Sequence, residues 1–240
     1  MSKIEAKFSE LRSAKRKGFV PFVTAGDPGL ETSKEIVLTL VRTGADIIEL
    51  GVPFSDPMAD GPTIQASSQR ALAQGISLTS ILQMVRELRN ETDVPIVLFS
   101  YLNPLFRYGF ERLASDAADV GNDGILVTDA VDEEAEAISS TLQNHGIDLI
   151  SLIAPSTTDE RLADIAARST GFLYAVSRTG VTGAQERTSE TAETLVLRAR
   201  KLAELPIAVG FGISTAAQIA DVWRYADAAV VGSAIVKVIE

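Results

Sequence analysis

The sequence predicts an α/β protein of the (β/α)8 or TIM-barrel class, folded as a single domain over residues 1–240, and three observations carry that expectation. Eight short apolar, β-branched runs recur along the chain. Amphipathic stretches of about 10–16 residues lie between them. Eight such units of about 30 residues fill the length, with no linker, low-complexity tract or second composition zone. The runs are continuously apolar rather than alternating, as parallel strands covered on both faces require. An open doubly wound sheet is the structural rival, and no G-x-G-x-x-G follows an early strand to support it.

The strands are expected at FVPFVTA from Phe19, DIIELGV from Asp46, PIVLFSY from Pro95 and GILVTD from Gly124. They continue at DLISLIA from Asp148, FLYAVS from Phe172, PIAVGFG from Pro206 and AAVVG from Ala228. Leu30 to Arg42 is helical in pattern, with Ile36, Val37, Leu40 and Val41 on one face. Asp132 to Asn144, Asp159 to Arg168 and Glu190 to Leu202 are further helices; the last two carry acids early and bases late, matching the helix dipole. Two features exceed the simple barrel. A helix at Ile4 to Arg12 precedes the first strand, and two helices, Pro62 to Ala73 and Leu78 to Arg89, follow the second.

Composition removes several chemistries. With 22 Lys+Arg against 32 Asp+Glu the net charge is −10, which disfavours a nucleic-acid surface. Hydrophobic residues at 46% and charged residues at 22% suit a well-cored soluble protein, and no apolar stretch approaches a membrane span. The charged start, MSKIEAKFSELRSAKRKG, lacks the apolar centre of a secretory signal, so a cytoplasmic location is expected. There is no cysteine and one histidine, His145, which excludes disulfides, thiolate nucleophiles and Cys/His zinc sites. His145 precedes Gly146 in a helix-end pattern and is expected to serve there. Acid–base chemistry therefore falls to Asp, Glu, Lys or Tyr.

In this fold the working face is where strands end. The second strand runs into IIELGVPFSDPMADGP, where Glu49 stands in an apolar run and points into the barrel mouth. Desolvation there raises a carboxyl pKa toward neutrality, and a buried salt bridge is the bland alternative. Pro53, Pro57 and Pro62 stiffen the following loop, which carries Asp56 and Asp60; at least one of those acids is expected merely to cap a turn. SRTGVTG after the sixth strand, GFGIST after the seventh and GSAIV after the eighth bring glycines to three successive strand ends. Ser214 or Thr215 forms an N-cap, and Gly232 and Ser233 open a short helix. Backbone N–H groups at such positions hold a phosphate without basic side chains. Arg178 and Arg187 flank a stretch suited to a lid, and Tyr174 points inward on the sixth strand.

These segments closely resemble the α subunit of tryptophan synthase. The motifs that carry the likeness are FVTAGDP (Phe22 to Pro28), ELGVPFSDPMADGPTIQ (Glu49 to Gln65), NPLFRYG (Asn103 to Gly109), SRTGVTG (Ser177 to Gly183), GFGIS (Gly210 to Ser214) and GSAIVK (Gly232 to Lys237). They keep the family's order and spacing across nearly the whole chain. The resemblance implies retro-aldol cleavage of indole-3-glycerol phosphate to indole and glyceraldehyde 3-phosphate, without metal or Schiff base. It implies Glu49 as the acid–base group, Asp60 as partner of the indole N–H, and Tyr174 as a positioning group. Phe22, Phe99, Leu126 and Phe211 would line the indole pocket. Backbone at Gly183, Gly212, Gly232 and Ser233 would hold the phosphate, and Thr182 would close over Asp60. It further implies a β subunit that holds pyridoxal phosphate and receives indole in an αββα assembly, contacted by Pro53 to Asp60 and the Asn103-Pro104 region. No cofactor is expected in this chain.

The chain departs from the family pattern in three places. Members usually continue beyond IVK with a long final helix over the outer face of strands one and eight, which is apparently missing here. DAVDEEA (Asp129 to Ala135) replaces a proline-bearing loop, and Phe172 stands where tyrosine is common, so a hydroxyl near the site is expected to be lacking. Two other functions stay open at this point: another phosphosugar isomerase or synthase, and a non-catalytic subunit that only activates a β partner.

Overall fold

A run of β-branched and aliphatic residues makes each strand, and the strands close on one another because every face of every strand finds cover. The computed structural model describes residues 1–130, 132–177 and 185–240, and of 132, 133 and 185–189 the helical backbone alone. In chain order the elements are α1 (Lys3–Ser13), β1 (Gly18–Thr24), α2 (Leu30–Arg42), β2 (Ile48–Gly51), α3 (Pro62–Ala73), α4 (Leu78–Leu88) and β3 (Ile96–Ser100). There follow α5 (Leu102–Tyr108), α6 (Phe110–Val120), β4 (Gly124–Val127), α7 (Asp132–Asn144), β5 (Asp148–Ile153) and α8 (Asp159–Arg168). The chain then forms β6 (Leu173–Val176), α9 (Gln185–Leu202), β7 (Ile207–Gly210), α10 (Ala216–Val222), β8 (Ala228–Val231) and α11 (Ser233–Ile239). The eight parallel strands form a closed barrel in sequence order, with β8 paired to β1, which excludes the open sheet.

Residue parity along the strands sorts the core. Inward residues such as Val20, Phe22, Val97, Phe99, Ile150, Phe172 and Tyr174 make one cluster inside the barrel. Their outward neighbours, among them Ile48, Leu50, Leu98 and Ile125, pack under the helices in a second. The register Phe22↔Glu49↔Val97 puts Glu49 on the inner face between two apolar neighbours.

The extra N-terminal helix closes the barrel from below. Ser2 caps α1 with a capping box, and the helix buries Ile4, Phe8 and Leu11 in the interior cluster. Phe8 meets Phe172 at 5.7 Å between ring centroids. This corrects one expectation: Phe172 sits two residues below Tyr174, at the plugged end, so the missing hydroxyl is not at the mouth of the barrel. His145 is where its motif placed it, Nδ1 3.0 Å from the Thr141 carbonyl at the end of α7.

The lower rim repeats one device four times. Asp46 accepts the N–H of Phe19 at 2.9 Å, Asp123 that of Ile96 at 2.8 Å, Thr170 that of Leu149 at 2.9 Å and Asp227 that of Ile207 at 2.9 Å. In each case a polar side chain just ahead of an even strand satisfies a donor at the start of the preceding odd strand. Arg89 secures one of these caps. It donates to Asp123 at 2.5 Å and to the carbonyls of Gly121 and Val94 at 2.7 and 2.6 Å, with 12% of its side chain exposed.

Arg89→Met leaves the buried Asp123 carboxylate without its cationic partner and the carbonyls of Gly121, Thr92 and Val94 without the guanidinium donor. A loss of about 3 kcal/mol in urea unfolding is expected, with the upper face untouched. An unchanged unfolding midpoint would show that the rim contributes little.

Candidate active site

Four aromatic rings line the barrel mouth: Phe22, Phe99 and Tyr174 share the inward strand parity, and Phe211 joins them from just past the end of β7. Phe22 and Phe99 meet edge to face at 5.3 Å and 80°, Phe99 and Tyr174 at 6.4 Å and 62°, and Tyr174 and Phe211 at 5.8 Å and 74°. Two glycines make the space. A Cβ on Gly51 would lie 2.4 Å from Phe22, and one on Gly210 would lie 1.9 Å from the Tyr174 hydroxyl. The rings border a cavity of about 330 Å³ that also takes in Glu49, Asp60, Ile64, Gly212, Ser214, Gly232 and Ser233.

Glu49 is fully buried, and among the described residues neither carboxyl oxygen has a hydrogen-bond partner. No described cation pairs with it, which speaks against the salt-bridge alternative. Burial among apolar neighbours raises its pKa from 4.5 to about 8. Asp60, on the rim, is raised to about 6 by partial burial, and the Tyr101 hydroxyl opposes the rise by hydrogen bonding toward it. Tyr174 is pushed well above the usual phenol range, first by burial and then by the charges of Glu49 and Asp60, so it stays a hydrogen-bond donor.

The loop that carries Asp60 is braced from within and from the side. Asp60 N–H donates to Pro57 O at 3.1 Å, Gln65 donates to Asp60 O at 2.9 Å, and Ala59 N–H donates to the Tyr101 hydroxyl at 2.9 Å. The Phe54 and Tyr101 rings stack at 5.1 Å and 35°. Asp56 is the turn-bound acid, its carboxylate accepting from Ser55 at 2.5 Å.

Two helix starts border the cavity region, and they differ. Thr215 caps α10 and Gln218 reaches back to the N–H groups of Ser214 and Thr215, so that terminus is satisfied by its own residues. Gly232 caps α11 without a side-chain hydrogen bond; Ile235 N–H donates to Gly232 O at 2.8 Å, and Ser233 and Ala234 at the helix start border the cavity. Of the residues expected from sequence, Glu49, Asp60, Tyr174, Phe22, Phe99, Phe211, Gly212, Gly232 and Ser233 all line the cavity. Leu126, paired in register with Phe99, is fully buried in the cluster that holds Phe22, Phe99 and Tyr174 and does not line the cavity. Arg178, Thr182 and Gly183 lie outside the described residues, as does the side chain of Arg187. Ile64 and Tyr101 were not anticipated, since each reaches the site only through the fold.

Known proteins agree with this geometry. Residues 8–240 match the family model described as tryptophan synthase alpha chain. The tryptophan synthase alpha chain of Citrifermentans bemidjiense is 52% identical over all of this chain and 90% of its own length. That of Solibacter usitatus is 48% identical over the same shares. The chain belongs to the tryptophan synthase alpha chain family. Among solved structures, tryptophan synthase subunit alpha from Legionella pneumophila superposes with TM-score 0.91 at 37% identity, covering 99% of this chain and 88% of that one. A chain of Mycobacterium tuberculosis tryptophan synthase gives TM-score 0.91 at 36% identity, covering 98% and 90%. Members of the tryptophan synthase alpha family are lyases that cleave indole-3-glycerol phosphate, and this chain is a lyase of that class. Among the described residues no helix is long and apolar enough to cross a membrane.

The buried carboxyl predicts an effect on stability separate from activity. Because the folded pKa of Glu49 lies above its unfolded value, the folded state holds the extra proton between pH 4.5 and about 8, and stability falls as pH rises through that window. Glu49→Met removes the penalty, so at pH 8 its thermal midpoint should exceed that of the wild type, by roughly 1–3 kcal/mol in stability. An equal or lower midpoint at pH 8 would mean that Glu49 has a partner in solution.

Proposed function

We propose that Glu49 and Asp60 divide the acid–base and electrostatic work of indole-3-glycerol phosphate cleavage. The observation that carries this reading is a fully buried carboxyl without a hydrogen-bond partner, facing the same cavity as a second carboxyl. Glu49, protonated near neutrality, delivers its proton to indole C3, and the ring nitrogen becomes cationic. The same carboxylate then takes the proton of the C3′ hydroxyl. As the C3–C3′ bond breaks, the oxygen electrons form the aldehyde and the bonding pair returns to the ring, neutralising it. Asp60 stays ionised, accepts the indole N–H and stabilises the transient cation. Tyr174 positions the substrate beside Glu49. The indole packs among Phe22, Phe99, Leu126 and Phe211. Backbone groups at Gly212, Gly232 and Ser233 take the phosphate; by family resemblance Gly183 joins them and Thr182 closes over Asp60.

The same reading takes residues 1–240 as one barrel domain in the cytoplasm and gives it a pyridoxal-phosphate β subunit as partner in an αββα assembly. Exposed apolar side chains support the partner surface: Met58 on the Asp60 loop is 91% exposed and Phe106 on α5 is 69% exposed.

Indole release from indole-3-glycerol phosphate, with and without the β subunit, tests the reading. Slow release that rises sharply with β is expected, and Glu49→Gln should lower turnover by at least about 10²-fold. Asp60→Asn should lower kcat more than it raises KM, since the charge it meets arises only during reaction. No release from folded wild-type protein in either setting would refute the reading and favour a purely activating subunit.

The pH dependence follows from the two carboxyls. Glu49 must be protonated and Asp60 ionised, so kcat/KM should fall below about pH 6 and above about pH 8. Tyr101→Phe removes the hydroxyl that favours ionised Asp60, and the acidic limb should move upward while the alkaline limb stays. A limb that does not move would separate Tyr101 from Asp60.

A further inference from the structure

Ser177 closes β6 and is buried, 6% exposed, although it lines no part of the cavity. It grips two successive carbonyls at the end of the adjacent strand β7: its N–H donates to Gly210 O at 3.0 Å and its hydroxyl donates to Phe211 O. What it grips is unusual. Phe211 has φ +70° and Gly212 has φ +78°. For a glycine this costs little, but a bulky L-residue in the left-handed region is rare and strained, and persists only where surrounding contacts enforce it.

Those two residues shape the site. The left-handed turn at Phe211 sends its ring back against Tyr174, and it leads the backbone of Gly212 and Ile213 along the cavity wall. A relaxed Phe211 with negative φ would redirect both the ring and the next peptide. We propose that Ser177 is a positioning residue for substrate binding, whose hydroxyl holds Phe211 in the left-handed conformation that sets one wall of the indole pocket and the adjoining anion-facing turn. The inference rests on the proposed function for the identity of the ligand, and on the hydrogen bonds and backbone angles alone for the mechanical role.

Two readouts keep these apart: KM and kcat for indole-3-glycerol phosphate, and the Kd for inorganic phosphate followed by NMR at Gly212 and Gly232. Ser177→Ala should raise KM and weaken phosphate binding, each roughly 5- to 30-fold, with kcat changed less than about threefold. Ser177→Thr keeps the hydroxyl and should restore both, whereas Ser177→Val, of equal bulk, should not. In a Phe211→Gly background the residue adopts the left-handed conformation unaided, so adding Ser177→Ala should change phosphate binding less than about twofold. The proposal is overturned if Ser177→Ala leaves KM and phosphate affinity within twofold, if Thr and Val behave alike, or if the full effect persists in the glycine background. Wild-type protein that binds phosphate but releases no indole would count against the proposed reaction alone.

Discussion

The carboxyl of Glu49 is enclosed in the barrel with nothing to bond to, and the rest of the upper structure follows from keeping it there. An unpartnered buried carboxyl is costly, and a strand interior offers no room for a compensating cation. Its inward direction is fixed by strand parity: a register shift of one residue would send Glu49 under the helices and bring Leu50 to the mouth. Apolar rings around it exclude water and raise its pKa, which is what makes a single carboxyl useful on both sides of neutrality. A second carboxyl could not share that interior ionised. Asp60 accordingly stands on a loop at the rim, where partial exposure and Tyr101 limit its rise.

The lower rim compensates for the destabilised upper one. Four side-chain caps, the buried Arg89–Asp123 pair and the helical plug of Ile4, Phe8 and Leu11 satisfy donors and fill volume at the end where no chemistry occurs. At the opposite end the comparable groups are left open: both oxygens of Glu49, and the helix start at Gly232 that no side chain caps. The asymmetry matches a fold whose lower face serves stability and whose upper face serves binding.

How much of this the sequence discloses depends on the range of each interaction. All eight strands were legible because an apolar run is a local signal, and α2, α3, α7 and α8 have the bounds their caps and periodicity predict. Between β3 and β4 the helices escaped notice. α5 is seven residues long with Pro104 in its first turn, whereas α6 is clearly amphipathic, with Leu113, Ala114, Ala117 and Val120 on its buried face, and its pattern was readable. α9 begins at Gln185, five residues before the acidic stretch that suggested its start. Site residues on strand ends were legible for the same reason as the strands. Phe172 was misjudged because parity tells inside from outside but not the level along the barrel. Tyr101, Ile64 and the link from Ser177 to Phe211 were beyond reach, since each depends on two segments distant in sequence meeting in space.

Tyr101 shows how such a meeting ties separate tasks together. Its hydroxyl accepts the N–H of Ala59, one residue from Asp60, and its ring stacks on Phe54 at the start of the same loop. Its backbone caps α5, the helix that carries Asn103, Pro104 and the exposed Phe106, and the next N–H, of Leu102, is anchored at 2.6 Å by Asp129 from the end of β4. The Asp60 loop, with exposed Met58, and the start of α5 are thus joined through one buried side chain. The surface proposed for the β subunit and the carboxylate proposed to meet the indole cation are consequently two faces of one braced unit. A contact that shifts α5 relative to the loop must alter the hydrogen bonding around Asp60, whereas Glu49, fixed by strand register, is insulated from it. In this arrangement a partner on the proposed surface would act on the electrostatic half of the proposed reaction and leave the proton-transfer half in place.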